Sequence, residues 1–178
     1  MDKRPEINEF IPYYGRYIDL VPEGDIEQIL TAQIKDTVQL LIGLTEEQAH
    51  FQYGPDKWSM KEVIGHITDT ERIMSYRLLC FARGEKKDLP GYDDNDYVQE
   101  ASFNRLSMEE LLEHLKAVRH STILLLKSLD NDAWERKGIA NSSGISVRAL
   151  AWLLAGHELH HRKLIEERYM GSEEYPSK

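Results

Sequence analysis

Four long segments with helical periodicity constrain the fold of this 178-residue chain. In each segment apolar residues recur three or four positions apart, which places them on one face of an α-helix. The segments run from after Gly24 to about Gly43, from Ser59 to about Arg83, from Ser107 to Asp130, and from near Ser146 to beyond Arg168. No segment shows convincing strand alternation, and the sequence contains no internal repeat. We therefore predict an all-α fold in which four amphipathic helices pack as a four-helix bundle.

Two capping boxes mark the starts of the second and third helices. Ser59 is followed three residues later by Glu62, and Ser107 by Glu110. In such a box each side chain accepts a hydrogen bond from a backbone N–H that the helix leaves unpaired. The starts of these two helices are therefore predicted by local chemistry alone.

The connection between the second and third helices indicates the topology. Residues 84–106 include Pro90, Gly91 and an acidic cluster that discourage a helix. At about 3.3 Å per residue this segment is long enough to cross the length of the bundle. We expect one long crossover, with the second and third helices parallel.

We expect residues 1–178 to form one domain with an N-terminal arm over residues 1–23. The arm is rich in proline and tyrosine and too aromatic for a disordered tail. We expect it to pack on the bundle or on a second subunit, so a homodimer is one expectation.

Composition excludes several classes of partner. The chain has 22 Lys and Arg against 31 Asp and Glu, a net charge of -9, which would repel a nucleic-acid backbone. Cys80 is the single cysteine, so no intramolecular disulfide forms, and the N-terminus lacks the apolar run of a secretory signal. No stretch is apolar for long enough to span a membrane. We therefore predict a cytoplasmic protein that binds neither nucleic acid nor membrane.

Three histidines lie near the end of the fourth helix. At about 100° per residue, His157 and His161 fall within its apolar stripe, and His160 falls on the margin. The spacing of four stacks the two inward rings one turn apart, close enough to bind one metal ion. Two histidines at this spacing are also common on ordinary polar helices, so a third donor is needed.

His66 on the second helix is the candidate third donor. It lies at the edge of the apolar face, and antiparallel packing of the second and fourth helices would bring it level with His157 and His161. The alternative is a core-edge histidine that bonds a backbone carbonyl or a carboxylate. A shared divalent ion would satisfy one nitrogen on each of the three buried rings, whereas burial without partners would cost a few kcal/mol for each ring.

Four stretches resemble the DinB-like superfamily, in particular its YfiT-type members. In chain order they are YIDLVPEGDI, KWSMKEVIGHITDTER, GYDDNDYV and GHELHHRKLI. The resemblance implies an up-down-down-up four-helix bundle and a divalent metal, often zinc or nickel, held by His66, His157 and His161, with His160 as a non-ligand. Some relatives are S-transferases that use bacillithiol, mycothiol or glutathione, and others are called metal-dependent hydrolases without a proven substrate.

Three hypotheses follow for function. The first is a metal-dependent enzyme that activates water or a low-molecular-weight thiol for hydrolysis of, or transfer to, a small molecule. The second is a binding bundle that holds metal or ligand without turnover. The third is a structural bundle whose surface forms a dimer.

The roles of several other polar residues follow less directly from the sequence. Asp69 either orients a ligand imidazole or pairs with Arg72. Glu158 points away from the histidines and is not a general base, and Cys80 lies about 21 Å along the helix from His66, too far to be a ligand or nucleophile. The acidic run at residues 93–96 is expected to be a solvated loop, whose Tyr92 and Tyr97 could instead cover a pocket.

Overall fold

A computed structural model describes residues 1–177 as a helical bundle with one small hairpin. Its α-helices are α1 Pro12–Ile18, α2 Ile26–Leu41, α3 Glu46–His50, α4 Met60–Ala82, α5 Asp94–Ala101, α6 Met108–Lys127 and α7 Val147–Leu164. Its strands are β1 Lys137–Ala140 and β2 Ser143–Ser146. Short 3-10 helices lie at Ile7–Glu9, Phe103–Arg105 and Asn131–Glu135, and a π-helical stretch, Ile165–Met170, extends α7. The four long helices match the four periodic segments, which confirms the predicted fold class.

Both predicted capping boxes are present. The Ser59 side chain accepts from the Glu62 N–H at 3.1 Å, and the Glu62 carboxylate accepts from the Ser59 N–H at 2.7 Å. Ser107 and Glu110 make the same pair of bonds at the start of α6. These helices therefore begin where local hydrogen bonding predicts.

The parallel arrangement of α4 and α6 is confirmed by their cross-links. Glu71 of α4 binds Arg119 of α6, and one turn further along both helices Thr122 contacts Ser75. Residue numbers thus rise together along the two helices. The connection between them must therefore return over the length of the bundle, as predicted.

The helices α2 and α7 are also parallel. Gln33 donates to the Ala155 carbonyl at 3.0 Å, and one turn later Thr37 donates to Glu158. In contrast, α4 and α7 are antiparallel, because residues near the start of α4 meet residues near the end of α7. The order of directions along the chain is up-down-down-up.

The N-terminal arm packs on α7. A Cβ at Gly156 would lie 2.1 Å from the Tyr17 carbonyl oxygen, so the backbones of α1 and α7 approach each other too closely for any side chain. The buried Glu9 carboxylate accepts from Arg148 at 2.7 Å and from the Ser146 hydroxyl at 2.6 Å. We expected the arm to pack on the bundle or on a second subunit, and in the structure it packs on the bundle.

A β-hairpin precedes α7 and was missed by the sequence prediction. Its strands pair antiparallel from Lys137↔Ser146 to Ala140↔Ser143, and the turn residues Asn141 and Ser142 have φ of 50° and 57°. Two central residues at positive φ make the tight turn whose twist suits a hairpin. Strands of four residues are too short for a clear alternating pattern.

The acidic run of the crossover is exposed to solvent, as predicted, but it begins a helix where a loop was predicted. Asp93 is the N-cap of α5, and its carboxylate accepts from the N–H groups of Asn95 and Asp96 at 2.8 and 3.1 Å. Pro90 and Gly91 precede this helix and do not interrupt it. The acidic residues thus favour a helix start, which is a usual place for aspartate.

Apolar side chains from the long helices form two buried clusters inside the bundle. In the second cluster, a Cβ at Gly65 would lie 2.3 Å from the Phe103 ring, so this ring packs directly on the α4 backbone. No helix within residues 1–177 has the length and hydropathy needed to cross a bilayer.

Candidate metal centre

Three histidine rings meet between α4 and α7. The Nε2 atom of His157 lies 3.1 Å from the Nε2 of His66 and 3.2 Å from the Nε2 of His161. One nitrogen from each ring lies within 4.8 Å of the other two. The structure therefore brings together the three histidines that sequence reasoning selected, and we refer to them as the histidine cluster.

The antiparallel packing of α4 and α7 explains this meeting. His66 is in the second turn of α4, and His157 and His161 are in the last turns of α7. The spacing of four residues stacks the two α7 rings on one face, with centroids 4.6 Å apart. His66 then approaches both rings from α4, with centroid distances of 5.0 and 4.8 Å.

All three rings favour the neutral form. Burial lowers the pKa of His66, although the carboxylates of Asp94 and Asp69 oppose this shift. Burial also lowers the pKa of His157 and of His161 well below the usual value, and the neighbouring imidazoles add to the effect. Neutral imidazole is the form that binds metal ions.

The histidine cluster cannot satisfy its own hydrogen-bonding groups. A neutral imidazole nitrogen has either one proton or one lone pair, so the His157 Nε2 can form only one good bond with its two Nε2 neighbours. A cation can accept a lone pair from all three nitrogens. Tetrahedral ligands about 2.0 to 2.1 Å from zinc lie about 3.3 Å apart, close to the two Nε2 distances here. These residues could hold one divalent ion.

Side chains from three other parts of the chain pack around the histidine cluster. The Trp58 ring lies 4.7 Å from the His66 ring, and the Tyr17 ring lies 5.8 Å from that of His157. The Asp94 carboxylate lies 3.8 Å from the His66 Nδ1, too far for a hydrogen bond but close enough for electrostatic attraction. The rings are thus held by aromatic packing, with one carboxylate beside them.

Two cavities reach the histidine cluster from different sides. One has a volume of about 320 Å³, and its walls include His157, Tyr17 and Arg77. The other has a volume of about 250 Å³, and its walls include His161 and Trp58. We refer to the first as the arm-side cavity, because α1 forms part of its wall. A small molecule could approach the nitrogens through either one.

Three other residues considered in the sequence analysis lie outside the histidine cluster. His160 is not one of the three converging rings and packs edge-on against Tyr17 at 5.2 Å, as expected for a non-ligand. Asp69 binds Arg72 at 2.7 Å, the alternative to orienting a histidine. Cys80 is a free, half-buried thiol outside the cluster.

Glu158 points away from the histidines, as predicted, but its role could not be read from the sequence. It is 1 % exposed and accepts hydrogen bonds from Arg119 and Thr37. Arg119 also donates to both carboxylate oxygens of Glu71 at 2.8 Å. These four residues form a buried polar network across α2, α4, α6 and α7.

The expectation that crossover tyrosines cover a pocket is met by Tyr92. Its hydroxyl shares a 2.9 Å hydrogen bond with Thr70, and its ring forms part of the wall of the arm-side cavity. Burial raises the pKa of this phenol, so it stays protonated and can donate a hydrogen bond. Tyr97 packs on Tyr92 with ring centroids 5.0 Å apart and lines a neighbouring cavity of about 310 Å³ together with Tyr92, but it does not line the arm-side cavity.

Sequence reasoning missed Arg77 and Asp94 as parts of this region. Arg77 lies eleven residues after His66, which returns it to within about 20° of the same helix face, so periodicity could have identified it. Asp94 is positioned by α5, which was not predicted. No local signal links this carboxylate to a histidine on another helix.

Two curated proteins are similar to this chain in sequence. A protein of Oceanobacillus iheyensis named "Putative metal-dependent hydrolase OB0782" is 27 % identical over 164 residues, covering 90 % of this chain and 92 % of that protein. A second from the same organism, "Putative metal-dependent hydrolase OB0413", is 24 % identical over 132 residues and covers 74 % of each chain.

A solved structure shares the fold. YfiT from Bacillus subtilis, described as a probable metal-dependent hydrolase with an unusual four-helix bundle topology, aligns with a TM-score of 0.67 at 18 % identity, covering 96 % of this chain and 94 % of YfiT. The sequence model of the DinB superfamily matches residues 29–165, which include all four long helices apart from the first turn of α2. Since that match spans most of the chain and includes the histidine cluster, this protein belongs to the DinB superfamily.

Proposed function

We propose that this protein is a metal-dependent enzyme in which His66, His157 and His161 bind one divalent ion, zinc or nickel. The observation that carries the proposal is the convergence of three imidazole nitrogens, one from each of these histidines, that cannot satisfy one another's hydrogen-bonding capacity. The names of the two Oceanobacillus relatives support the same class of protein. Three nitrogen ligands leave at least one coordination position open, which is typical of catalytic zinc sites.

The reaction proposed is hydrolysis of a small molecule or transfer of a low-molecular-weight thiol to it. When bound, such an ion supplies Lewis acidity that lowers the pKa of a water or thiol toward neutrality. The half-buried Cys80 lies outside the cluster, so the thiol in a transfer reaction would come from a cosubstrate.

Residues around the cluster would prepare the site for this chemistry. Trp58 packs against His66 and Tyr17 against His157, which would limit the movement of both imidazole rings. The Asp94 carboxylate faces the His66 Nδ1 and would favour the tautomer whose proton is on that atom, which leaves the Nε2 lone pair available. The Tyr92 phenol, protonated and hydrogen-bonded to Thr70, can donate to a substrate oxygen in the arm-side cavity.

Metal content tests the ligand set directly. The protein should be purified without a His-tag or nickel column, stripped with chelator, reloaded with zinc or nickel, and measured by elemental analysis. We expect one ion per chain in the wild type and almost none in His66→Ala. The matched control is His160→Ala, which removes a neighbouring histidine outside the cluster and should keep one ion. Stoichiometric metal in His66→Ala would refute the ligand set.

Activity measurements then separate the enzyme from a non-catalytic binding bundle. The loaded protein should be tested with simple esters and amides, and with glutathione or bacillithiol together with an electrophile. We expect turnover in the wild type that disappears in His66→Ala and persists in His160→Ala. A loaded protein that turns over none of these compounds, while ligands still raise its melting temperature, would favour the binding bundle.

A further inference from the structure

Arg77 is a buried cation without an acidic partner. Three arginines among residues 1–177 are buried: Arg77 at 5 % exposure, Arg119 at 1 % and Arg148 at 5 %. Arg119 binds two carboxylates and Arg148 binds one. Among residues 1–177, no ion pair includes Arg77. The fold therefore pairs two of its buried arginines with acids and leaves the third unpaired.

The contacts that Arg77 does make are with neutral groups. Its Nη2 donates to the Pro90 carbonyl at 2.7 Å, and its Nη1 lies 3.7 Å from the Met74 sulfur, a weak acceptor. Its guanidinium carbon lies 5.8 Å from the centroid of the Tyr92 ring. A guanidinium has five N–H donors, and these protein contacts occupy two of them. Burying such a charge unpaired is costly unless a ligand compensates it.

Arg77 lines the arm-side cavity, which also reaches the histidine cluster, and a neighbouring cavity whose walls include Leu89 and Tyr97. Arg77 and His157 both form parts of the wall of the arm-side cavity. Arg77 lies about 16 Å along α4 from His66, on nearly the same helix face. The neutral side chains Asn141 and Ser143 of the hairpin line the cavity too. One molecule could therefore contact the cluster and the guanidinium at once.

Charge favours a singly charged anion at this position. Arg77 is the one cationic and Asp94 the one acidic side chain among the lining residues, and Asp94 lies at the histidine end, 3.8 Å from the His66 Nδ1. One guanidinium matches one carboxylate, which it can bind through two parallel hydrogen bonds. A phosphate dianion would leave a negative charge uncompensated inside the cavity.

We propose that Arg77 binds a carboxylate group of the substrate at the end of the arm-side cavity away from the histidine cluster. The role of the cluster as the reacting end rests on the proposed function above, whereas carboxylate binding at Arg77 does not require a metal ion. The substrate class is thus a small carboxylic acid whose hydrolysed or thiol-accepting group lies apart from its carboxylate.

Binding to metal-free protein tests this proposal, because a carboxylate would also bind a metal ion directly. The probes are 3-phenylpropionate, its uncharged amide and phenyl phosphate, titrated against the full chain and followed by NMR or calorimetry. We expect the carboxylate to bind more tightly than both other probes. Arg77→Met should weaken carboxylate binding at least tenfold and leave amide binding unchanged. Arg72→Met, an exposed arginine on the same helix, is the matched control and should bind like the wild type.

Thermal unfolding gives an independent measurement. Arg77→Met removes an unpaired buried charge, which favours stability, and also the 2.7 Å hydrogen bond to the Pro90 carbonyl, which opposes it, so its melting temperature should stay close to that of the wild type. Arg148→Met, which leaves Glu9 unpaired, should instead melt at a lower temperature. Undetectable carboxylate binding at millimolar concentrations, equal binding by Arg77→Met, tighter binding of the phosphate, or a loss of melting temperature in Arg77→Met as large as in Arg148→Met would each overturn the proposal. Metal stoichiometry in His66→Ala would still test the histidine cluster separately.

Discussion

Replacing Arg119 with methionine tests whether the buried polar network holds the four long helices together. Arg119 donates three hydrogen bonds to the carboxylates of Glu71 and Glu158, at 2.7 to 2.8 Å, and a fourth to the Leu30 carbonyl at 3.1 Å. Both carboxylates are at most 2 % exposed, so water cannot replace the guanidinium. Removing one partner of a buried ion pair typically costs about 3 to 5 kcal/mol. At roughly 2 to 4 °C per kcal/mol for a chain of this size, the melting temperature should fall by about 6 to 20 °C.

The assay is urea and thermal unfolding of metal-free protein, since bound metal would add its own stabilisation. The control is the triple variant Arg119→Met, Glu71→Gln, Glu158→Gln, which keeps the shape of the network without its charges. It should recover part of the loss, because no unpaired carboxylate stays buried. A loss below about 1 kcal/mol in Arg119→Met, or a triple variant less stable than the single one, would contradict this account.

Two further predictions concern the N-terminal arm. Gly156→Ala should lower the free energy of unfolding, measured in urea, by at least about 1 kcal/mol, because the new methyl group would collide with the Tyr17 carbonyl. At an open helix position the same substitution would stabilise the protein. Equal or higher stability of the variant would therefore mean that α1 does not pack there. For Glu9, burial alone would raise the carboxyl pKa, but hydrogen bonds from Arg148, the Glu6 backbone and Ser146 outweigh burial and lower it below 4.5. The stability from this lowered pKa is present above about pH 4.5 and disappears as pH falls through the folded-state pKa. As the pH falls below about 4.5, the wild type should therefore lose more unfolding free energy than Glu9→Gln, and parallel pH profiles would exclude the effect.

The long helices could be predicted from sequence because local chemistry decides where they begin and end. Capping boxes at Ser59 and Ser107 act within three residues, and an apolar stripe records which face a helix buries. The same periodicity identified the inward faces of His66, His157 and His161. Their convergence required one further inference, the antiparallel packing of two helices, which the long crossover supported.

The hairpin and α5 show where local reasoning was insufficient. The hairpin strands are only four residues long and are held by tertiary contacts: Leu89 pairs with Ala140, and the Phe81 ring packs where a Cβ at Gly138 would lie. A pattern of four residues has too little periodicity to distinguish strand from loop. The α5 cap at Asp93 was readable in the sequence, but proline, glycine and clustered charge suggested a loop.

Sequence alone determined the helical class and the three histidines that face inward, because these follow from short-range hydrogen bonding and helical periodicity. The length of the crossover indicated the parallel second and third helices, and the family resemblance implied the full order of directions. Only the tertiary structure decided which charges are paired. Arg77, Arg119 and Arg148 are all arginines on amphipathic helices, yet two meet carboxylates from distant parts of the chain and one faces a cavity. Charge pairing acts over a few ångströms between residues far apart in sequence, so no local pattern encodes it.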